Sequence, residues 1–216
     1  MKKKVVSMAL LGMMAVGGGA NAFAAEGDYQ TIDNSTGTDV KTSAEIKARG
    51  IIGTGNNTDP GEPLPEGDNK WIHVTLPTEV VFSSDEKNDH KTIVSPSNYK
   101  IENKSGRPVQ VSLQEFKGIK EGKSLKNLNL ESANQGDFEK KELIKEAEIV
   151  AEPSELVKLA NNKGELAGNK QAKKEVNFKF TGNVDKGLLG EEKENVEYKM
   201  TLKFKALKMD GSEVTE

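Results

Sequence analysis

The amino-acid sequence predicts an all-β protein, an antiparallel β-sandwich of Greek-key or jelly-roll type formed by residues 70–207. One observation is the repeated alternation of apolar and polar residues, which is typical of strands because successive side chains point to opposite faces of a sheet. A second is that the alternating stretches are short and separated by turn-forming residues. The clearest stretch is "NVEYKMTLKFKAL", in which every second residue from Val196 to Ala206 is apolar.

Five further stretches show the same alternation. The first is "WIHVTLPTEVVF", in which Pro77 interrupts the strand because proline has no N–H for the ladder. The others are "NYKIEN", "PVQVSLQEF", "SLKNLNL" and "KEVNFKF". Their apolar faces should meet in one core, and the residues predicted to line it include Val74, Val111, Leu113, Phe178, Phe180, Tyr198, Leu202 and Phe204.

The stretch "DFEKKELIKEAEIVAEPSELVKLANNKGEL" is ambiguous, because its apolar residues fit both a helical and an alternating spacing. We interpret residues 145–151 as a strand, with a helix as the alternative. Ser154 is a favourable helix N-cap, and good helix formers follow it. A short helix is therefore predicted at 154–161.

Residues 1–24 have the pattern of a secretory signal peptide. Three lysines precede an apolar run from Val5 to Val16, and small residues lead to an expected cleavage site after Ala24. Glycines interrupt the apolar run before it reaches the about 20 residues that a transmembrane helix needs. We therefore expect a secreted protein, extracellular or associated with the cell wall, with no transmembrane segment after cleavage.

The composition narrows the class of protein further. The chain has no cysteine, so an exported protein with this sequence depends on an apolar core and not on disulfides. Its net charge is -3 and 30% of its residues are charged, with lysine and glutamate interspersed. Such a surface lacks the basic patch of a nucleic-acid-binding protein. Residues 208–216 are expected to form a C-terminal tail.

Residues 25–69 are predicted to form a flexible leader, an isolated strand at about 39–52 and a linker rich in proline and glycine. The linker, "GTGNNTDPGEPLPEGDNK", is expected neither to pack in a core nor to form a helix. A lone strand is unstable in water, so the strand should add to the edge of a sheet. The candidate strand-pairing residues on its apolar face are Val40, Thr42, Ala44, Ile46 and Ala48.

The sequence leaves two partners open for this strand. It can fold back onto its own domain, which a tethered segment meets at an effective concentration of the order of millimolar. Alternatively, it can complete the sheet of a neighbouring molecule by donor-strand pairing, which would make the protein a fibre subunit.

No set of residues in the sequence predicts catalysis or a bound cofactor. Nucleophilic catalysis needs a base that a partner group orients. The chain has only two histidines, His73 on the polar face of a predicted strand and His90 in a charged turn. Two histidines without a suitably spaced third ligand do not predict a zinc site. We expect no enzyme activity, no cofactor and no metal.

The single tryptophan, Trp71, is the candidate glycan contact. It lies out of phase with the apolar residues of the strand that follows, so its ring could be exposed for stacking on a sugar. The alternative is that Trp71 packs against the linker at the start of the strand.

The order of these features resembles the WxL-domain surface proteins of Gram-positive bacteria. The resemblance covers about residues 56–207 and rests on "TDPGEPLPEG", "RPVQVSLQEF", "LKNLNL" and "YKMTLKFKAL". It implies a β-rich domain that follows a Thr/Asp/Pro-rich linker and is attached to the cell wall. The Trp-x-Leu motif that names the family is absent, since Trp71 begins "WIHV" and the last strand has Phe204-Lys205-Ala206.

From these observations we expect a non-enzymatic secreted cell-surface protein. It would bind a cell-wall component or associate with itself or with other surface proteins. The alternatives are a carbohydrate-binding module that uses an exposed sheet face with Trp71, and a donor-strand-type fibre subunit.

Overall fold

The computed structural model describes Ser43 and residues 55–190 and 193–214. The predicted signal peptide and the candidate strand-pairing residues lie outside the described residues. Ser43 is exposed and belongs to no strand. In the described part of the chain, no helix is long and apolar enough to cross a membrane.

The described residues form eleven β-strands and two single-turn 3-10 helices, at Asn69–Trp71 and Glu86–Asn88. The all-β prediction is therefore confirmed. The strands are β1 (Val74–Thr75), β2 (Ser83–Ser84), β3 (Thr92–Val94), β4 (Tyr99–Asn103), β5 (Val109–Lys120), β6 (Leu125–Ser132), β7 (Lys141–Lys145), β8 (Glu148–Ile149), β9 (Ser154–Leu159), β10 (Glu175–Val184) and β11 (Glu197–Ala206).

The strands pair in two antiparallel sheets. The larger sheet has the order β1-β4-β10-β6-β7-β8, and β3, which also pairs with β2, joins the far end of β10. The smaller sheet has three strands in the order β11-β5-β9. Apolar side chains from both sheets form one core, which confirms the sandwich architecture.

The middle strands of the two sheets supply four of the deeply buried core residues. Val111 and Leu113 on β5 are at most 1% exposed, and Phe178 and Phe180 on β10 are each 3% exposed, as predicted. Four other predicted core residues pack against this cluster but are only half-buried: Val74, Tyr198, Leu202 and Phe204. The predicted strand around Val74 is also shorter than expected, because β1 has two residues.

Bulges change the alternation in the smaller sheet. On β5, Glu115 pairs with Thr201 and Leu113 with Leu202, which leaves Gln114 as an extra residue. The bulge reverses the phase of the strand, so Phe116 points into the core three residues after Leu113. Simple alternation could not predict this change.

The helix predicted at 154–161 is wrong, because these residues form β9 and pair with β5. Val157 and Glu155 oppose adjacent residues of β5, so Leu156 is a bulge. The bulge lets Leu156 and Leu159 face the core together at a spacing of three, which imitates a helical pattern. The strand interpretation of residues 145–151 is correct for Lys145, which ends β7, and for Glu148–Ile149, which returns from β7 through a tight turn.

Candidate interaction surface

The described part of the linker, residues 55–69, packs against the end of the sandwich. Its polar residues form local turns, for example where the N–H of Gly61 donates to Asp59 Oδ1 at 2.9 Å. The side chain of Asp68 caps the 3-10 helix that leads to Trp71. Leu64 is 8% exposed and belongs to a small apolar cluster. The prediction that the linker does not pack in a core is therefore wrong for these residues, whereas the only helix that they contribute to is the single 3-10 turn at Asn69–Trp71.

Trp71 anchors the linker. Its side chain is fully buried against Leu64 and Ala206, the last residue of β11. The indole N–H donates to the carbonyl oxygen of Pro65 at 2.8 Å. A ring with no exposed surface cannot stack on a sugar, so Trp71 is not a glycan contact in this conformation. The alternative, packing against the linker, is the arrangement that the structure shows.

Arg107 is buried beneath Trp71. The guanidinium carbon lies 4.4 Å from the centroid of the indole, a cation-π contact. Nη1 donates to the carbonyl oxygen of Pro60 at 2.8 Å, and Nε lies 3.4 Å from Glu66 Oε1. Burial lowers the pKa of Arg107 and the Glu66 carboxylate raises it, but an arginine stays charged. We call Pro60, Glu66, Trp71 and Arg107 the clamp.

The turn between β4 and β5 lies under the clamp. Asn103 Nδ2 donates to the carbonyl oxygen of Arg107 at 2.8 Å, and the N–H of Gly106 donates to Asn57 at 2.7 Å. A Cβ on Gly106 would lie 2.8 Å from the carbonyl carbon of Asp59, so only glycine fits here. The residues "KSGR" are typical of a turn, but nothing in them indicates that the turn is buried. The one available signal was a tryptophan out of phase with its strand and next to the linker.

The outer edge of β11, Glu197–Ala206, pairs with no strand among the described residues. We call it the open edge. Leu202 lies opposite Leu113 of β5, yet Leu202 is half-buried whereas Leu113 is 1% exposed. The same partial burial applies to all four large apolar residues on the inner face of β11: Tyr198, Met200, Leu202 and Phe204.

The outer face of β11 carries Lys199, Lys203 and Lys205. Charged side chains, lysine above all, are common on edge strands because they hinder uncontrolled pairing with other chains. Glu197 supplies the single acidic side chain of this face. A strand that pairs here must therefore present a complementary row of charges.

The connection before β11 is held by Glu194. Its carboxylate accepts hydrogen bonds from the N–H groups of Lys123 and Ser124 and from the Ser124 hydroxyl. Partial burial raises the pKa of Glu194, but these hydrogen bonds outweigh it and hold the pKa below its ordinary value. The start of β11 is thus fixed to the turn between β5 and β6.

The two histidines lie in different places. His73 is exposed just before β1. His90 Nδ1 lies 2.9 Å from Ser84 Oγ within the turn between β2 and β3, where the contact holds the turn. Among the residues that the structure describes, no group of three His, Cys, Asp or Glu side chains could hold a metal ion.

A cavity of about 10 Å³ lies between the two sheets and has apolar residues only around it. That volume is about the minimum for one water molecule, so the cavity does not hold an organic ligand. No protein-family model and no curated protein matches the chain. The fold defines the class, an antiparallel β-sandwich, and its surfaces carry the functional argument.

Proposed function

We propose that this is a non-enzymatic, secreted cell-surface protein that associates with the cell envelope, with itself or with other surface proteins. The observation that supports this most is the open edge, where β11 pairs with no second strand among the described residues and has half-buried apolar residues. A strand with these properties is a template for an added strand from another chain.

An added strand would gain in two ways. Its backbone groups would pair with the free N–H and C=O groups of β11, which supplies affinity without a particular sequence. Its inward side chains would cover the apolar row from Tyr198 to Phe204, and burying apolar surface is favourable in proportion to its area. The open edge therefore supports association through strand pairing.

The N-terminal signal-peptide pattern supports export. The resemblance to WxL-domain proteins supports a place on the wall of a Gram-positive cell, with a wall component or another surface protein as the partner. The carbohydrate-binding alternative has lost its main residue, because Trp71 is buried. The fibre-subunit alternative uses the same open edge and is developed below.

Cell fractionation tests the location. We expect the protein in the wall fraction or on the cell surface after its N-terminal segment is removed. Recovery in the cytoplasm, or as a free monomer in the medium only, would contradict the proposal.

A pair of variants tests the surface. Met200→Glu places a charge on the open edge, whereas Val94→Glu places the same charge on β3 of the other sheet, at a residue that is 43% exposed. Surface association should be lost with Met200→Glu and retained with Val94→Glu, while both variants stay folded by circular dichroism. Equal association of the two folded variants would exclude the open edge as the docking surface.

A further inference from the structure

We infer that the occupant of the open edge is the segment 39–52 of a second copy of this chain, added antiparallel to β11. The protein would then assemble head to tail by donor-strand pairing. This inference rests on the proposed function, since it names the partner and the geometry for association at the open edge.

The two edges of the smaller sheet show where a strand is missing. On β9, Leu156 and Leu159 are 9% and 0% exposed, and Val157, which lies opposite Val111, is half-buried. On β11, the inward residues are half-buried over the whole strand. Neither edge strand has a second neighbour among the described residues, but the apolar face is buried more deeply along β9 than along β11.

The segment 39–52 has side chains that suit this edge. Its apolar face contains the small residues Ala44 and Ala48, which leave room for the bulky side chains of β11. Consider an antiparallel register in which Ser43 lies opposite Thr201. The large residues of the open edge then meet this face, in the pairs Val40 with Phe204, Thr42 with Leu202, Ala44 with Met200 and Ile46 with Tyr198.

The charges on the outer face agree with the same register. Opposite charges across a strand pair are favourable and like charges are not. Three pairs have opposite charges: Asp39 with Lys205, Glu45 with Lys199, and Lys47 with Glu197. Lys41 and Lys203 have like charges, and Ser43 and Thr201 both carry hydroxyls. The complementary row that the lysines of β11 require is thus present in this chain.

The clamp makes it unfavourable for a molecule to use its own segment in this register, because the connection would have to be almost fully extended. Asn57 is held beside Trp71, because its Nδ2 donates to the carbonyl oxygen of Lys70 at 3.2 Å. Trp71 packs on Ala206, so the chain enters the clamp at the end of β11. In the antiparallel register Lys47 lies at the other end of β11, about 30 Å away at 3.3 Å per residue.

The ten residues from 47 to 57 reach at most about 36 Å when fully extended. They would have to return along the whole strand without a bend, through Gly50 and the "GTGNN" stretch, where chains usually turn. A second copy can dock with no such restriction.

Donation from one copy to the next joins the molecules head to tail. Each molecule would give a strand at one site and receive a strand at another, so the interface is heterologous and produces open chains unless the rotation closes a ring. The clamp has a role here, because it fixes where the donated segment leaves the domain.

Cysteine cross-linking tests the inference directly, since the chain has no cysteine of its own. Opposed residues of antiparallel strands have Cα atoms about 5 Å apart, which a disulfide can span. We would mix a mature chain, starting at residue 25, that carries Ser43→Cys with one that carries Thr201→Cys, and oxidise the mixture. The matched control replaces Thr201→Cys by Lys158→Cys, on the outer face of β9.

We expect disulfide-linked heterodimers from the Ser43 and Thr201 variants and few from the control pair. A chain with both substitutions should form a ladder of linked chains on a non-reducing gel. An intramolecular disulfide in that double variant would overturn the inference in favour of folding back. Equal yields in the test and control mixtures would overturn it as well.

Deleting residues 25–52 separates this inference from the proposed function. The truncated chain should keep its fold and lose concentration-dependent assembly in sedimentation. Mixed with the full chain, it should stop the growth of assemblies, because it can receive a strand but cannot donate one. If it assembles as before, the donated segment is wrong. If it still binds cell surfaces through the edge that Met200→Glu blocks, the proposed function stands while the donor is another protein. If Met200→Glu has no effect, the proposed function fails too.

Discussion

The linker is more deeply buried than its sequence indicates, and β11 is less deeply buried than its sequence indicates. The linker is polar and rich in proline and glycine, yet with Trp71 it covers Arg107, and both side chains are 0% exposed. The last strand has the clearest apolar alternation in the chain, yet its large apolar residues are half-buried. The region predicted to be loose is packed, and the region predicted to be core lies at the boundary of the core.

The difference shows what an alternating pattern means. Alternation tells which face of a strand is turned inward. It does not tell whether a neighbour covers the flank of that strand, which depends on sheet order. Conversely, proline and glycine argue against long regular elements, but turns held by Asp and Asn side chains can still be packed by one large aromatic residue.

The largest expected effect is at the clamp. Trp71→Ala should lower the free energy of unfolding by about 3–5 kcal/mol, because it removes a fully buried indole and leaves Arg107 without its stacking partner. Urea denaturation followed by far-UV circular dichroism measures this. Trp71→Phe retains an aromatic ring and should cost less. A cost below about 1 kcal/mol for Trp71→Ala would mean that the linker is loosely attached, and would contradict the conclusion that the linker is the more tightly packed of the two regions.

A pair of leucines measures the other side of the comparison. Leu113 and Leu202 lie opposite each other in the ladder and differ mainly in burial. Leu113→Ala should cost about 2–5 kcal/mol, and Leu202→Ala less than half as much. The measurement is made on the chain without residues 25–52, so that no donated strand covers Leu202. Equal costs in that chain would show that β11 is as well covered as β5.

Arg107 gives a smaller effect. Arg107→Lys keeps the charge but loses the planar group that stacks on Trp71 and the donor to Pro60, so it should cost about 1–3 kcal/mol. The exposed Lys104 is the control, since Lys104→Arg should change stability by less than about 0.5 kcal/mol. Thermal melts of the two variants are compared with the parent. Similar melting temperatures for all three would show that a charge alone is sufficient at position 107.

The smallest effect concerns the start of β11. The folded pKa of Glu194 is below the ordinary value of 4.5, so the carboxylate stabilises the fold above that value and this contribution is lost as the pH falls through the lowered pKa. Glu194→Gln should therefore lower stability at pH 7 and weaken the dependence of stability on pH below about 4.5, where the two proteins become similar in stability. Ser124→Ala removes one hydrogen-bond donor and should raise the pKa of Glu194 in an NMR titration. An unchanged pKa would contradict the role of Ser124.

Much of the fold could be predicted because it depends on local patterns. The inward residues Val111 and Leu113 of β5 and Phe178 and Phe180 of β10 follow from alternation alone. The bulge at Leu156 could not be predicted, because it exists only in the pairing of β9 with β5. Together with the favourable N-cap at Ser154, the spacing that it produces makes this strand resemble a helix. Trp71 likewise had two interpretations that only its neighbours could separate.

The sequence by itself determined the class of fold, most of the strands, the inner faces of those strands and the candidate segment at 39–52, because backbone alternation and turn chemistry are properties of short stretches. The tertiary structure decided which residues are buried and which edge is open. Arg107 is buried because the linker, over 30 residues earlier in the chain, folds over it. Leu202 is half-exposed because β11 has β5 on one side and no described strand on the other. Burial depends on contacts between distant parts of the chain, and no local pattern specifies them.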